Sequence, residues 1–268
     1  MVQVQSDRVT VCYLWELKRQ KKKITALTAY DYPVARILDQ AGVDVILVGD
    51  SLGMVVLGYD NTLPVTMEEM VHHTKAVVRA RTRAMVIGDM PYLSFHLSLK
   101  DSIANAARFI KEAGADGVKL EGATAQRIQL VEALVEAEIP VMGHVGLTPQ
   151  SVRRIGGFKV QGTEEAKAEA IFRGALALEK AGAFAVVLES IPAELAREIT
   201  AALKIPTIGI GAGPDCDGHV LVSHDILGLY DKFVPSFVKQ YANLWQISSD
   251  AFKAYNEDVK SGRYPERK

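Results

Sequence analysis

Cysteine, net charge and long apolar runs are all scarce in this chain, and each shortage removes a class of protein. Cys12 and Cys216 are the only cysteines in 268 residues. That is too few for a disulfide framework or a four-sulfur zinc site, and it fits a reducing cytoplasm. The net charge is −1 and the pI about 6.6, which leaves no electrostatic footprint for nucleic acid or an anionic membrane. No run of about 18 apolar residues occurs, and the first residues lack the apolar core of a signal peptide. The expectation is a protein neither inserted in a membrane nor exported. The basic run Lys18-Arg19-Gln20-Lys21-Lys22-Lys23 precedes the first strand and reads as a solvated turn. No linker or low-complexity segment divides the chain. No G-x-G-x-x-G follows the first strand, which argues against an open dinucleotide-binding sheet.

What is present is a succession of short Val-, Ile- and Leu-rich runs alternating with helical patterns, the signature of buried parallel strands. Strands are expected at 24–30, 43–50, 84–89, 117–121, 140–145, 184–189, 205–210 and 219–223. Helices are expected from Pro33 to Gln40, Met67 to Arg81, Ser98 to Glu112, Ala125 to Ala137, Thr163 to Lys180 and Pro192 to Leu203. Thr66 with Glu69 forms a capping-box signature, Pro33 is a first-turn proline, and Gly42 and Gly114 are stops. EAGADGVKLEG and EKAGAFAVVLES look like copies of one unit. This repetition predicts a single-domain α/β fold, a (β/α)8 TIM barrel, with 1–23 as an N-terminal extension and 236–268 as an extra C-terminal helix and tail. The gap between the last two strands is too short for a crossover helix. Segments 51–66 and 146–162 are the natural active-site loops.

Four acids stand where apolar runs stop: Asp50 after VDVILVG, Asp89 after AMVIG, Glu121 after GVKL and Glu189 after AFAVVL. The carboxyl ends of strands are where such folds place their chemistry. Carboxylates about 4 Å apart at an effective dielectric of about 20 repel by about 4 kcal/mol. A hard divalent cation relieves that cost. Asp50 and Asp89 are the first candidate ligands, because each follows a glycine (Gly49, Gly88) that lets a ligand approach the backbone. The competing reading of either alone is a helix or turn cap. Without paired His and Cys, Mg²⁺ is favoured over zinc.

Lys119 and Glu121 lie two apart on one strand and share a face. Apolar helices cover the outside of a barrel, so this pair points inward. It is either an internal salt bridge, or Glu121 approaches a metal while Lys119 binds an anionic substrate group. Ser51 is placed to hold a carboxylate. Glu189 suits a general base if burial and nearby acids raise its pKa; the other reading is a cap for the helix beginning at Pro192. His144 either bonds a ligand inside the barrel or is a satisfied core histidine. His72 and His73 read as structural, and Thr148-Pro149 as a helix start. GIGAGPDCDG (209–218) has the composition of a phosphate loop, but Asp215 and Asp217 oppose that role.

VGDSLGMVVLGYDNTLPVTMEEMVHHTKAV, GDMPYLSF, GVKLEG, PVMGHVGLTPQS, LESIP and PTIGIGAGPDCDGHVLV occur in this order across most of the chain. Together they closely resemble the ketopantoate hydroxymethyltransferase family, from about residue 8 to 262. The resemblance implies a (β/α)8 barrel that binds Mg²⁺ and uses 5,10-methylenetetrahydrofolate as co-substrate. It implies transfer of a hydroxymethyl unit to 3-methyl-2-oxobutanoate through a Mg²⁺-stabilised enolate, giving ketopantoate for pantothenate and coenzyme A synthesis. Matched motif by motif, Asp50 and Asp89 are the metal ligands of GDS and GDMP, and Glu121 is the acid associated with the metal in KLEG. Ser51 and Lys119 match the 2-oxoacid contacts, beside Asp50, Asp89 and His144 as substrate-facing groups, and Glu189 matches the proton acceptor of LES. The resemblance also implies a large homo-oligomer, usually a decamer. GGFKVQG (156–162), after Arg153 and Arg154, reads either as a flexible lid touching the folate or as plain surface loop.

The nearest rival is a Mg²⁺-dependent carbon–carbon lyase or mutase of the isocitrate lyase and phosphoenolpyruvate mutase type. Its lyase members rely on a Cys in a KKCGH-type loop, which this chain lacks. A silent barrel that only binds a metabolite is opposed by the cost of burying idle acids.

Overall fold

Eight β-branched-rich runs form short parallel strands: β1 (Ile24–Thr28), β2 (Val45–Val48), β3 (Met85–Asp89), β4 (Gly117–Lys119), β5 (Val141–Gly146), β6 (Ala185–Glu189), β7 (Thr207–Ile210) and β8 (Gly218–Leu221). In the computed structural model these close in sequence order into one barrel, the expected (β/α)8 fold. The structure describes residues 8–157, 159–232 and 234–266. Residues 1–7 of the expected N-terminal extension, Phe158 of the expected lid and the last two residues of the tail lie outside them.

The helices are α1 (Val11–Arg19), α2 (Tyr32–Gln40), α3 (Leu52–Val55), α4 (Met67–Ala80), α5 (Leu99–Lys111), α6 (Ala125–Glu136), α7 (Val152–Ile155), α8 (Glu165–Lys180), α9 (Ala193–Ala202), α10 (Ser223–Ile226) and α11 (Leu244–Lys260). Every expected strand, and every expected helix of the barrel, is present with ends within about two residues, the usual spread for element boundaries. The Thr66–Glu69 capping box closes in both directions. No helix intervenes between β7 and β8. The chain divides into two compact units between Val220 and Leu221. The second unit holds α10 and α11; α11 begins later than residue 236 and buries none of its residues.

Alternation along the strands sorts the core into two layers. Ile46, Val48, Val86, Val118, Leu120, Val186 and Leu188 belong to a cluster with the helices. Val45, Leu47, Met85, Ile87, Met142, Ala185, Val187 and Ile208 form the interior. Asp89, Lys119, His144 and Glu189 continue the interior parity towards the carboxyl ends of their strands, so the pleat itself aims them inward.

At the opposite end, α1 was not expected. Its Leu14 and Leu17 join the interior cluster. Trp15 Nε1 donates to Phe184 O (3.0 Å), and Lys18 Nζ pairs with Asp217 (2.7 Å). Lys18 is therefore helical and largely covered, which corrects the reading of the whole basic run as a solvated turn. The aspartates that precede β2, β4 and β8 have a shared task. Asp44, Asp116 and Asp217 each accept the N–H of a residue on the preceding strand: Thr25 (3.0 Å), Val86 (2.8 Å) and Thr207 (2.9 Å). These bonds fasten the amino-terminal rim, where barrels invest in stability rather than chemistry.

Asp39, near the end of α2, belongs to the same framework. Its carboxylate accepts Thr82 N (2.8 Å), Thr82 Oγ1 (2.5 Å), Arg83 N (2.9 Å) and Ala84 N (2.7 Å). Burial opposes its charge, but these bonds outweigh burial and hold its pKa down to about 2. A depressed carboxylate contributes stability that is complete above its ordinary pKa. That stability is lost as pH falls through the folded value, here between about pH 4 and pH 2. The expected contribution is about 2 kcal/mol at neutral pH. Denaturant unfolding of Asp39→Ala is expected to show that loss at pH 7 and a smaller one at pH 2.5.

Candidate active site

The four acids converge as expected, though not all end strands. Asp89 and Glu189 are the last residues of β3 and β6, whereas Asp50 and Glu121 lie two residues beyond β2 and β4. Asp50, Asp89, Lys119, Glu121 and His144 are all at most 6% exposed, and Glu189 is partly covered. Lys119 Nζ donates to both oxygens of Asp89 (2.8 and 2.9 Å) and stands 4.0 Å from Glu121 Oε1. The shared face of Lys119 and Glu121 is thus confirmed. Asp50 N donates to Asp89 Oδ2 (3.3 Å), which joins the ends of β2 and β3.

One ammonium faces four carboxyl groups, and the proton affinities of Asp50, Glu121 and Glu189 record the imbalance. Burial pushes the Asp50 pKa up to about 7, helped by the Asp89 charge and opposed by Lys119, Gln150 and Thr62. Burial likewise pushes Glu189 up to about 8, against the pull of Lys119 and with the push of Asp50 and Asp89. Burial also raises Glu121 well above the ordinary range. Lys119 is raised despite burial, because Asp89, Glu121 and Asp50 surround it, so it stays protonated. His144 is held far below its usual value by burial and by Lys119, and is neutral. Its ring lies between two acids, Nδ1 3.9 Å from Glu121 Oε1 and Nε2 3.4 Å from Glu189 Oε2. Neither ring nitrogen has a hydrogen-bond partner. Its position between two site acids favours the ligand-facing reading of His144 over that of a core histidine.

A hard divalent cation can supply the positive charge that the buried Asp50 carboxyl otherwise draws from a proton, so the donor set fits such an ion. Among the described residues no three His, Cys, Asp or Glu side chains converge closely enough to hold a metal. The protein offers the Asp50–Asp89 pair, in keeping with Mg²⁺, which binds through one or two carboxylates and fills its remaining positions with water or substrate. The Glu121 carboxylate is turned instead to Gln150 N (3.1 Å).

The glycines before the two aspartates have other tasks than the one expected. A Cβ on Gly88 would lie 2.2 Å from Phe109 Cδ1 of α5, so that glycine serves helix packing. A Cβ on Gly49 would meet Ser51 Oγ at 2.8 Å, so Gly49 makes room for the Ser51 hydroxyl. Tyr30 Oη bonds that hydroxyl (2.8 Å), and His73 Nδ1 holds the Tyr30 carbonyl (2.6 Å), a positioning task for a histidine read as structural. Gly146 has φ +97° and passes the Glu189 carbonyl so closely that a Cβ would lie 2.2 Å from it.

Both long loops reach the site, as expected. The 51–66 loop supplies Thr62, whose buried hydroxyl favours the Asp50 carboxylate without completing a hydrogen bond. The loop after β5 supplies Gln150, in a 3-10 turn opened by Thr148 and Pro149. Gln150 Nε2 donates to Asp50 Oδ2 and to Met90 O, both at 2.9 Å. Sequence reasoning missed Tyr30, Thr62 and Gln150; for Gln150 the available signal was an amide one residue past a helix-start pair, inside an expected active-site loop. In 209–218, Asp217 is committed to Lys18 and Thr207, and Lys23 Nζ donates to the carbonyls of Pro214 and Cys216. That loop is a structural tie rather than a phosphate cradle.

Known proteins agree with this picture. The chain is 59% identical over 263 residues to 3-methyl-2-oxobutanoate hydroxymethyltransferase of Moorella thermoacetica, covering 98% of this chain and 97% of that one. It is 55% identical over 258 residues to the enzyme of the same name from Syntrophomonas wolfei, covering 96% and 93%. Among solved structures, a phosphonopyruvate hydrolase complex with oxalate and Mg²⁺ superposes with TM-score 0.62 at 14% identity, covering 94% of this chain and 87% of that one. 2,3-Dimethylmalate lyase, of the PEP mutase/isocitrate lyase superfamily, gives TM-score 0.62 at 15% identity, covering 94% and 88%. At such identities the likeness is one of fold alone. The profile of ketopantoate hydroxymethyltransferase matches residues 8–267, and the chain belongs to that family.

Proposed function

We propose that this protein is a 3-methyl-2-oxobutanoate hydroxymethyltransferase that takes its one-carbon unit from 5,10-methylenetetrahydrofolate and produces 2-dehydropantoate. The observation that carries this reading is the buried group of Asp50, Asp89 and Lys119 inside the barrel of a chain of that family. In the reaction the C3–H bond of the 2-oxoacid breaks and a C3–CH2OH bond forms. The methylene carbon leaves both folate nitrogens, and water supplies the hydroxyl oxygen.

Asp50 and Asp89 are the residues that would hold Mg²⁺, with Glu121 behind them. When bound, the cation draws charge from the 2-oxoacid carbonyl and makes the C3 proton easier to remove. The chain's own groups do the rest. Lys119, kept protonated by its acidic surround, presents a fixed positive charge to the substrate carboxylate. Ser51, fixed by Tyr30, adds a hydroxyl beside it. Glu189 accepts a proton, and its pKa near 8 suits a group that takes and returns protons at neutral pH. His144, neutral, stands between Glu121 and Glu189.

The purified protein is expected to convert 3-methyl-2-oxobutanoate, given 5,10-methylenetetrahydrofolate and Mg²⁺, into equal amounts of 2-dehydropantoate and tetrahydrofolate. Release of glyoxylate from isocitrate, or of pyruvate from 2-methylisocitrate, would instead favour a lyase. We place the enzyme in the cytoplasm, following its sparse cysteines, and as a homodecamer, following the family resemblance. Light scattering is then expected to give about ten times the 29.2 kDa chain mass, and a monomer would refute the assembly.

A further inference from the structure

Gln150 lies at the centre of the site and is 5% exposed, yet the reaction as derived gives it no task. Two of its polar atoms make three hydrogen bonds. Its backbone N–H donates to Glu121 Oε2 (3.1 Å), and Nε2 donates to Asp50 Oδ2 and to Met90 O (2.9 Å each). The amide cannot be turned over, because that would set Oε1 against two acceptors, a carboxylate and a carbonyl oxygen. Oε1 is therefore the atom left over, buried and without a hydrogen-bond partner. A buried orphan acceptor costs about 1–3 kcal/mol, so its persistence beside the proposed metal and substrate residues signals a donor that arrives with the ligand.

We propose that Gln150 is a positioning residue for this reaction: its amide nitrogen fixes the Asp50 carboxylate, and its Oε1 accepts a hydrogen bond from an O–H group of the bound molecules. The inference rests on the function proposed above. The 2-oxoacid substrate carries neither N–H nor O–H, so it leaves Oε1 unsatisfied. Beside the 2-oxoacid itself two O–H sources arise, a water on the bound cation and the hydroxymethyl group that the reaction creates. The first gives Gln150 a part in holding the cation, and the second lets it distinguish product from substrate.

The test uses the full chain with Gln150→Met, which keeps volume and removes both amide atoms, and Gln150→Asn, which keeps the amide one methylene short of Asp50. Mn²⁺ binding is followed by electron paramagnetic resonance without organic ligand, and the affinities of 2-dehydropantoate and 3-methyl-2-oxobutanoate by calorimetry. Loss of one hydrogen bond to a charged group corresponds to about tenfold in affinity. The expected result is folded variants with Mn²⁺ binding about tenfold weaker, or with the product-to-substrate affinity ratio reduced about tenfold. A change in the ratio identifies the product hydroxyl as the O–H source, and a change in Mn²⁺ affinity with the ratio unchanged excludes it and assigns Gln150 to the cation side, through Asp50 and the cation's water. Wild-type Mn²⁺ affinity and an unchanged ratio in either folded variant would overturn the proposal. A wild-type protein that turns over normally beside such variants would leave the function standing, whereas failure of the wild type to bind the 2-oxoacid would sink the function itself.

Discussion

Asp89→Asn is expected to weaken divalent-cation binding and to abolish exchange of the C3 proton of 3-methyl-2-oxobutanoate with deuterated water. Asp89 joins three parts of the site. Both its oxygens hold Lys119 Nζ, and one also receives the Asp50 N–H. Asparagine keeps the shape but gives up the charge and one acceptor oxygen. The remaining carboxylate of the pair, Asp50, is already driven towards protonation by burial. Removing an electrostatic group aimed at a site of developing charge costs about 10²–10³ in rate, so exchange is expected to fall at least about 100-fold. The same substitution leaves the buried Lys119 ammonium short of its nearest partner. Breaking such a pair destabilises a fold by about 3–5 kcal/mol. Circular dichroism and a melting curve must therefore accompany the exchange assay. A folded variant that exchanges normally would remove Asp89 from its assigned role.

Glu189→Gln carries the second large effect. Glu189 is the only one of the four acids that is partly exposed, and burial, with the charges of Asp50 and Asp89, pushes its pKa up to about 8. Positioned proton transfer is worth about 10²–10⁴ in rate. Hydroxymethyl transfer is expected to drop by about that factor, while cation affinity stays close to the wild-type value, because Glu189 is not one of the proposed ligands. The two half-reactions then locate the proton. Loss of C3 exchange along with transfer assigns Glu189 to the 2-oxoacid, and retained exchange with lost transfer assigns it to the folate half. Full transfer activity in this variant would contradict a proton-handling role altogether.

How much of this was legible in the sequence follows from where each residue sits. Asp89, Lys119, His144 and Glu189 could be found because strand alternation carries them inward from recognisable apolar runs. Tyr30 and Thr62 sit on irregular backbone and Gln150 in a single 3-10 turn, where no sustained period tells which way a side chain points. Their roles come from contacts with residues far along the chain, such as Gln150 with Asp50. Helix α1 escaped because its apolar face is only Leu14 and Leu17 beside a basic run, and tertiary burial under the barrel decides its fate. The glycines before Asp50 and Asp89 were legible as special but not as to purpose. What a missing Cβ makes room for, Phe109 in one case and the Ser51 hydroxyl in the other, depends on neighbours that one-dimensional spacing does not identify. The aspartates before β2 and β4 were visible in AG-x-D phrases, AGVD and AGAD, while Asp217 before β8 stands outside one; all three went unread, because their partners are backbone N–H groups on adjacent strands.

The central claim is that inward-facing carboxylates hold a divalent ion whose charge turns a bound 2-oxoacid into a carbon nucleophile. Proton NMR of 3-methyl-2-oxobutanoate in deuterated water with the wild-type protein tests it most directly. With Mg²⁺ present the C3 proton signal is expected to disappear at a rate set by the amount of enzyme, and chelation of the metal is expected to stop the exchange. Exchange that continues undiminished after chelation, or none at any Mg²⁺ concentration in a folded protein that binds the ketoacid, would contradict the account.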